Sequence, residues 1–312
     1  MNCFQARMLL AGVLCAGAAL AQTAQPAEKQ EPEERTRIIL DVTRVNLLFT
    51  VSDRRGRFVT DLGQDDFSIR EGKRDQKILE FVAETDLPLR LAILVDTSNS
   101  IRERFKFIQE AGIEFIKSVV RTDQDKAAVV SFDTSAELQA DLTGDVEKLE
   151  NAIRQLRPGG GTSLYDAIFF ASRDKLMQDQ PRHKFRRAMV ILSDGDDNQS
   201  RYSRDQALEL AQKADVVIYT ISTNNTGAPS DGDKVLKYLS AETGGVTFFP
   251  FKVEDLAQSF ENIANELRHQ YNVLYRPEPL RTDGSYQEIE VKVKERKGLV
   301  VRARKGYYAP RL

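Results

Sequence analysis

Short runs made up almost entirely of apolar residues are the strongest constraint on the fold of this 312-residue chain. The runs cover residues 91–95, 127–132, 189–192 and 216–221, and polar or charged sequence bounds each of them. A strand with apolar side chains at successive positions is buried on both faces, as strands of a parallel sheet are. The four runs therefore predict the inner strands of an α/β domain.

Amphipathic helical segments separate these runs. In the first segment, residues 101–119, apolar residues recur every three or four positions, which keeps one face of a helix dry. Because parallel strands need a crossover connection, the alternation predicts a doubly wound, mostly parallel sheet with helices on both faces. The other helices are predicted at residues 146–156, 164–177, 203–214, 234–241 and 253–268.

The sequence on both sides of this domain alternates between apolar and polar residues, which is typical of antiparallel strands. On the N-terminal side, residues 45–51, 67–70 and 78–83 predict short strands. On the C-terminal side, residues 289–293 and 299–308 predict two strands that pair across a turn. Neither side has enough strands to bury a core alone.

We therefore predict that residues 38–86 and 270–312 pair into one small antiparallel β-sandwich domain. The α/β domain, residues 87–269, is inserted into it. Two separate β lobes are the alternative. Truncation after about residue 270 distinguishes them, since a soluble, folded N-terminal β module would argue against pairing.

The N-terminus has the pattern of a targeting segment. Arg7 precedes an apolar stretch at residues 8–20, and Ala19-Leu20-Ala21 offers the small-x-small pattern of a signal-peptidase site. We predict a signal peptide at residues 1–21, a disordered spacer at residues 22–37, and a secreted or periplasmic mature protein without a transmembrane span. The net charge of −2 gives no general attraction to nucleic acid.

Cysteine and histidine are too scarce for disulfide or zinc chemistry. Cys3 and Cys15 both lie in the predicted signal peptide. A lipoprotein signal ending at Cys15 is an alternative, but Leu14 stands where a small residue is needed. A retained anchor is another, although the apolar run is shorter than the ~20 residues that span a bilayer. His183 and His269 are far apart and cannot form a usual zinc site without cysteines.

Oxygen-bearing side chains stand at three predicted element boundaries. Asp96, Ser98 and Ser100 follow the first apolar run, Thr162 ends a glycine-rich stretch before a helix, and Asp194 follows the third run. Ligands of an open parallel sheet bind at the carboxyl ends of its strands. Because hydroxyl and carboxylate oxygens suit magnesium, manganese or calcium, these five residues form a candidate cation site.

Each of these three sequence segments also has an ordinary explanation by itself. Asp96 and its serines could cap the next helix. Residues 158–163 could be a phosphate loop, but they lack the lysine and the spacing of the Walker motif. The pair Asp194-Gly195 also suits a turn. The cation site is favoured because all three segments occur together, each at the boundary of a predicted strand or helix.

The pattern Asp96-x-Ser98-x-Ser100, followed by Thr162 and Asp194, resembles the metal-ion-dependent adhesion site of the von Willebrand factor type A domain, which is also seen in integrin I domains. All five motif positions are filled, and the resemblance covers the whole predicted α/β domain.

The resemblance implies a binding module without catalytic residues. Ser98, Ser100 and Thr162 would contact the cation, while Asp96 and Asp194 would bind it directly or through water. The expected ion is Mg²⁺, with Mn²⁺ or Ca²⁺ as alternatives. An Asp or Glu carboxylate of a partner protein would complete the coordination.

The flanks carry a weaker resemblance. Residues 58–62 and 306–308 look like secreted bacterial proteins that contain such a domain. Family members also shift their last helix on ligand binding. Here residues 253–268 run directly into residues 271–275 of the β domain, so we hypothesise that metal-dependent ligation is coupled to the angle between the domains. Identical small-angle scattering envelopes with and without an acidic ligand would contradict this.

Three other functions remain open. A haloacid-dehalogenase-type phosphatase needs a second aspartate two residues after its nucleophile, and this chain has Ser98 there, which cannot protonate a leaving group. A serine hydrolase is disfavoured because neither Ser98 nor Ser100 lies in a nucleophile elbow. The third is a structural domain of the same fold without a working metal site.

Overall fold

The structure of the chain, a computed structural model, describes residues 44–83, 87–179, 182–224, 228–250 and 253–311. The predicted signal peptide and spacer, residues 1–37, lie outside the described residues. Within those ranges, no helix is both long enough and apolar enough to span a lipid bilayer.

Strands and helices alternate through the middle of the chain, with strands alone at both ends. The strands are β1 (Val45–Asp53), β2 (Phe67–Glu71), β3 (Arg74–Gln76), β4 (Ile78–Val82), β5 (Leu89–Asp96), β6 (Lys126–Phe132), β7 (Ala136–Thr143), β8 (Arg186–Ser193), β9 (Val216–Ser222), β10 (Thr247–Phe248), β11 (Tyr271–Tyr275), β12 (Tyr286–Val293), β13 (Leu299–Ala303) and β14 (Gly306–Tyr308). The α-helices are α1 (Phe105–Val119), α2 (Val146–Gln155), α3 (Leu164–Phe170), α4 (Arg204–Lys213), α5 (Asp231–Thr243) and α6 (Val253–Arg268).

The middle strands form one central sheet, whose order among the described strands is β10-β9-β8-β5-β6-β7. Neighbouring strands are parallel except for β7, which is antiparallel to β6. Every residue of β5 and β8 is buried. This burial explains their uninterrupted apolar runs, because helices cover both faces of a parallel sheet. The predicted mostly parallel α/β architecture is confirmed.

The helices divide between the two faces of this sheet. Helices α1, α2 and α6 share a core with Leu91, Ile93 and Val190, whereas α3, α4 and α5 share a core with Leu94 and Ile191. Successive side chains of a strand point to opposite faces, so β5 and β8 supply both cores. The doubly wound arrangement is therefore present.

Some local structure differs from the prediction. The edge strands β7 and β10 were not predicted, and β7 carries exposed Glu137, Gln139 and Asp141. An edge strand is commonly protected by such polar residues, so it has no apolar run. The first predicted helix begins as a 3₁₀ turn, Asn99–Arg104, and the helix after Thr162 ends in a π-helical turn, Ala171–Leu176.

Two antiparallel sheets form the β domain, in the orders β13-β1-β11-β4 and β14-β12-β2-β3 among the described strands. Their inner faces share one core, which includes Phe49 and Tyr271 from the first sheet and Phe67 and Ile289 from the second. Strand β1 lies between β11 and β13, so the N-terminal and C-terminal segments pair as predicted. The α/β domain is inserted between them.

The prediction for residues 299–308 is wrong in one respect. It makes them a single strand paired with residues 289–293, whereas β13 pairs with β1 and only β14 pairs with β12. The chain changes sheets at Lys305, whose N–H donates to the carbonyl oxygen of Glu242 at 3.1 Å. A strand that crosses between sheets keeps its alternating pattern, so the sequence does not reveal the break.

Arg186 lies at the point where the chain enters and leaves the α/β domain. This residue, the first of β8, is 5% exposed. Its guanidinium donates to the carbonyl oxygen of Leu87 at 2.7 Å and also to that of Leu267. One side chain therefore holds the two connections between the domains together.

A buried ion pair joins α6 to the β domain. Glu266 is 2% exposed, and its carboxylate accepts hydrogen bonds from Arg302 at 3.2 and 3.0 Å and from Thr50 Oγ1 at 3.1 Å. Burial raises the pKa of Glu266, although Arg302 and Thr50 favour the charged form. These hydrogen bonds connect the end of α6 to Thr50 on β1 and to Arg302 on β13.

Replacing Glu266 tests the strength of this junction. Glu266→Ala is expected to lower the free energy of unfolding by about 2–4 kcal/mol, because Arg302 and Thr50 would lose their buried acceptor. The matched control is Glu261→Ala on the exposed side of α6, which should stay within about 0.5 kcal/mol of wild type. Urea denaturation measures both, and equal effects would contradict the assigned role.

Candidate metal centre

Three loops meet at the carboxyl end of the central sheet. Loop 1 is residues 96–100, after β5; loop 2 is residues 158–163, before α3; loop 3 is residues 193–199, after β8. Because β5 and β8 are parallel neighbours, loops 1 and 3 leave the same edge side by side. The five predicted ligand residues all lie on these loops.

Loop 1 is folded around the carboxylate of Asp96. This residue is fully buried, and its Oδ1 accepts a hydrogen bond from the backbone N–H of Ser98 at 2.8 Å. The hydroxyl oxygens of Ser98 and Ser100 lie 2.9 Å apart. Ser98 is buried and Ser100 is exposed, so the pair reaches from the protein interior to its surface.

Asp96 also binds loop 3 to loop 1. The hydroxyl of Ser193 donates to Asp96 Oδ2 at 2.7 Å, and the same hydroxyl accepts from the backbone N–H of Gly195 at 3.0 Å. Asp194 lies between these two residues and is half-buried. The position of Asp194 is therefore fixed relative to Asp96.

Hydrogen bonds connect loop 2, which carries Thr162, to both neighbouring loops. Its carbonyl oxygen accepts from the backbone N–H groups of Asn198 and Gln199, and its own N–H donates to Asn198 Oδ1, all at 3.0 Å. At the other end of loop 2, the N–H of Gly159 donates to the carbonyl oxygen of Thr97 at 2.6 Å. Loop 2 is thus connected to loops 1 and 3.

Gly195 is required by a close backbone approach. It has φ = +83°, and a Cβ there would lie 2.3 Å from the carbonyl oxygen of Gly232 at the start of α5. A side chain at either glycine would push loop 3 and α5 apart. The sequence Asp194-Gly195 is therefore more than a simple turn signal.

The carboxylates around the site affect one another. Burial, with a smaller contribution from Asp194, raises the pKa of Asp96 to about 6, although hydrogen bonds from Ser193 and Ser98 favour the charged form. Partial burial and the neighbouring Asp194, Asp231 and Asp233 also raise the pKa of Asp196. Negative charge is therefore concentrated at this edge of the sheet and would be relieved by a cation.

The donor set fits a hard divalent cation. The described residues contain no group of three or more His, Cys, Asp and Glu side chains arranged for a metal, so hydroxyls would have to contribute. Ser98, Ser100 and Thr162 provide them beside Asp96 and Asp194. Oxygen donors of this kind suit Mg²⁺ and related ions. The role of the five residues as ligands stays a prediction.

The sequence did not single out Ser193 and Asn198, which orient the predicted ligands. Ser193 is a hydroxyl at the last, fully buried position of an apolar strand, where an aliphatic residue would otherwise be expected. That contrast is a usable signal. Asn198 is an exposed loop residue and gives no comparable signal.

Asp96→Asn should stabilise the metal-free protein at pH 7. Because the pKa of Asp96 is raised from 3.8 to about 6, wild-type stability should fall as the pH rises from about 4 to about 6. The raised pKa corresponds to a destabilisation of the wild type by about 3 kcal/mol above pH 6. Asparagine has one hydrogen-bond acceptor fewer than the carboxylate, so the expected net gain in the free energy of unfolding of Asp96→Asn is about 1–2 kcal/mol.

Denaturation in chelator between pH 4 and pH 8 measures this difference. Asp205→Asn, at an exposed carboxylate, is the control and should follow the wild-type profile. A constant difference between wild type and Asp96→Asn across this range would contradict the prediction.

Comparison with known proteins supports the assignment of the fold. Residues 91–196 match the family model of the von Willebrand factor type A domain. Over 169 residues, or 52% of this chain, the sequence is 28% identical to von Willebrand factor A domain-containing protein 3B from Homo sapiens. The match spans 12% of the length of that relative.

Solved structures share the fold at low sequence identity. Proximal thread matrix protein 1 from the mussel byssus has a TM-score of 0.52 and 19% identity, over 64% of this chain and 51% of that chain. Another structure of that protein has a zinc-occupied metal-ion-dependent adhesion site (MIDAS) motif. It has a TM-score of 0.51 and 20% identity, over 64% of this chain and 50% of that chain. The vWF domain of the type V pili tip protein Mfa5 from Porphyromonas gingivalis has a TM-score of 0.50 and 16% identity, over 59% and 96%. The chain therefore shares its fold with these structures, and residues 91–196 match the family model of the von Willebrand factor type A domain.

Proposed function

We propose that this protein is an extracytoplasmic binding module that uses a divalent cation to hold an acidic side chain of a partner protein. Asp96, Ser98, Ser100, Thr162 and Asp194 are the proposed ligands, and Mg²⁺ is the proposed ion. The secreted or periplasmic location rests on the predicted signal peptide at residues 1–21.

One observation carries this proposal: hydrogen bonds join the three loops that bear the proposed ligand residues. Asp96 contacts both loop 1 and Ser193 of loop 3, and Thr162 is fixed by three hydrogen bonds to loop 3. A site with its donors held in place loses little conformational entropy when an ion binds. The buried charge of Asp96 adds a reason for a cation to bind.

Each proposed ligand has a distinct part. The hydroxyls of Ser98, Ser100 and Thr162 are neutral donors, so the bound ion would keep much of its positive charge. The carboxylates of Asp96 and Asp194 would hold it directly or through water. Such an ion would supply an electrophilic centre for a partner's carboxylate.

The choice of ion follows from the donor chemistry. The zinc-occupied MIDAS motif of the mussel byssus protein supports a divalent ion in this fold. Here the donors are oxygen atoms without sulfur or imidazole, which favours magnesium, manganese or calcium over zinc.

We propose binding rather than catalysis because a serine stands where a phosphatase of the haloacid-dehalogenase type has its general acid. The position two residues after Asp96 is Ser98, whose hydroxyl faces Ser100 at 2.9 Å. A phosphatase of the haloacid-dehalogenase type would need a carboxylic acid there. Phosphatase turnover that Asp96→Asn abolishes would contradict the proposal.

Metal titration tests the site directly. Added Mg²⁺ or Mn²⁺ should raise the melting temperature of wild type, with about 2.7 kcal/mol of stabilisation at a hundredfold excess over Kd. Ser98→Ala should lose most of this shift because it removes an inner donor. Ser68→Ala, on β2 of the β domain, is the matched control and should respond like wild type. Equal shifts in both variants, or none in wild type, would refute the site and leave a structural domain as the better assignment.

Partner binding should depend on the same site. A pull-down with wild type in magnesium is expected to retain a protein that is lost in chelator and lost with Asp194→Ala. Asp205→Ala, at an exposed carboxylate of α4, should retain it. A partner retained equally under all four conditions would show that binding does not use the ion.

A further inference from the structure

The first turn of α3 is not capped by its own serine. Ser163 stands at the N-cap position, where a serine side chain commonly accepts from the second or third N–H group of the helix. Here it accepts no such bond, and among the described residues its fully buried Oγ has no hydrogen-bond partner. The N–H groups of Tyr165 and Asp166 therefore need acceptors from elsewhere in the molecule.

Those acceptors come from the end of loop 3 and the residue after it. The N–H of Tyr165 donates to Asp197 Oδ2 at 3.1 Å, and the N–H of Asp166 donates to Ser200 Oγ at 3.0 Å. The Ser200 hydroxyl donates to the same oxygen of Asp197 at 2.6 Å. Helix α3 is thus capped by side chains that lie 32 and 34 residues further along the chain.

Helix α3 binds the same segment in return. The carboxylate of Asp166, which is 8% exposed, accepts from the backbone N–H groups of Arg201 at 2.9 Å and Tyr202 at 3.0 Å. Just before the helix, the N–H of Thr162 donates to Asn198 Oδ1 at 3.0 Å. Because side chains of each segment bind the backbone of the other, the chain from Thr162 into α3 is joined to this segment at several points.

We propose that Ser200 and Asp197 are positioning residues for the proposed cation. The inference rests on the proposed function, in which the Thr162 hydroxyl contacts the ion. By capping α3, the two residues set the position of the backbone that carries Thr162. Asp194 lies on the same loop as Asp197, so the cap also connects the proposed ligand of loop 2 to that of loop 3.

Ser200 gives the clearer test of this role. Its side chain is neutral, so Ser200→Ala removes a bond to α3 without removing negative charge from the site. Asp197→Ala would weaken cation binding through the loss of charge as well. Without the Ser200 hydroxyl, the N–H of Asp166 loses its acceptor, and the unpartnered Oγ of Ser163 is the N-cap group available to replace it. Such a change of cap alters the first turn of α3, directly after Thr162.

Binding of Mn²⁺ to the metal-free full chain, followed by electron paramagnetic resonance, measures the effect. Ser200→Ala should bind Mn²⁺ about tenfold more weakly than wild type, as expected for a residue that orients a metal ligand. Ser200→Thr keeps the hydroxyl and should bind like wild type. Ser203→Ala is the matched control: it removes an exposed hydroxyl that caps α4 by accepting from the N–H of Gln206 at 3.2 Å, and it should also bind like wild type.

A double-mutant cycle separates positioning from a general loss of structure. If Ser200 acts through Thr162, Ser200→Ala should weaken binding by less than about twofold once Thr162→Ala has removed the ligand hydroxyl. In Ser100→Ala, where Thr162 is intact, it should still weaken binding by about tenfold. A general loss of structure would weaken binding to the same extent in both backgrounds.

The possible results are distinguishable. If wild type binds Mn²⁺ and Ser200→Ala binds it equally well, the proposed function stands and the positioning role is wrong. Equal weakening in the Thr162→Ala and Ser100→Ala backgrounds, or an equal loss in Ser203→Ala, also refutes the positioning role. If wild type does not bind Mn²⁺, the proposed function and this inference are both overturned.

Discussion

The buried carboxylate of Asp96 is the interaction on which the arrangement of the site depends. Its two oxygens serve different loops, one accepting from Ser98 and the other from Ser193. An anion in this position is unfavourable without a compensating charge, as its raised pKa shows. Ser193 is the last residue of β8, and Ser98 lies two residues after the end of β5. The fold therefore keeps a buried negative charge at Asp96, and a bound cation would offset the unfavourable free energy of burying it.

Much of the fold could be predicted because burial on two faces leaves a clear pattern. For that reason the apolar runs of β5, β6, β8 and β9 could be identified as strands in the sequence, and the helices between them could be predicted as well. Strand β7 was missed because an exposed edge needs polar residues rather than an apolar run. The pairing of β13 with β1 was missed because strand partners more than 200 residues apart leave no local signal.

The residues of the candidate site could be predicted only in part. Asp96, Ser98, Ser100, Thr162 and Asp194 could be proposed because each stands at an element boundary. Their supports could not, since Asn198 acts through loop geometry that forms only after the sheet does.

Arg186 has a consequence for the order in which the molecule can assemble. Strand β1 needs β11 and β13, which are made much later, so until then its apolar face and its edges are unprotected. Once the inserted domain has folded, Arg186 holds Leu87 next to Leu267, and the long intervening chain no longer has to be closed at random. A folded inserted domain would thus bring the two ends of the polypeptide close together, so that β1 can pair with β11 and β13.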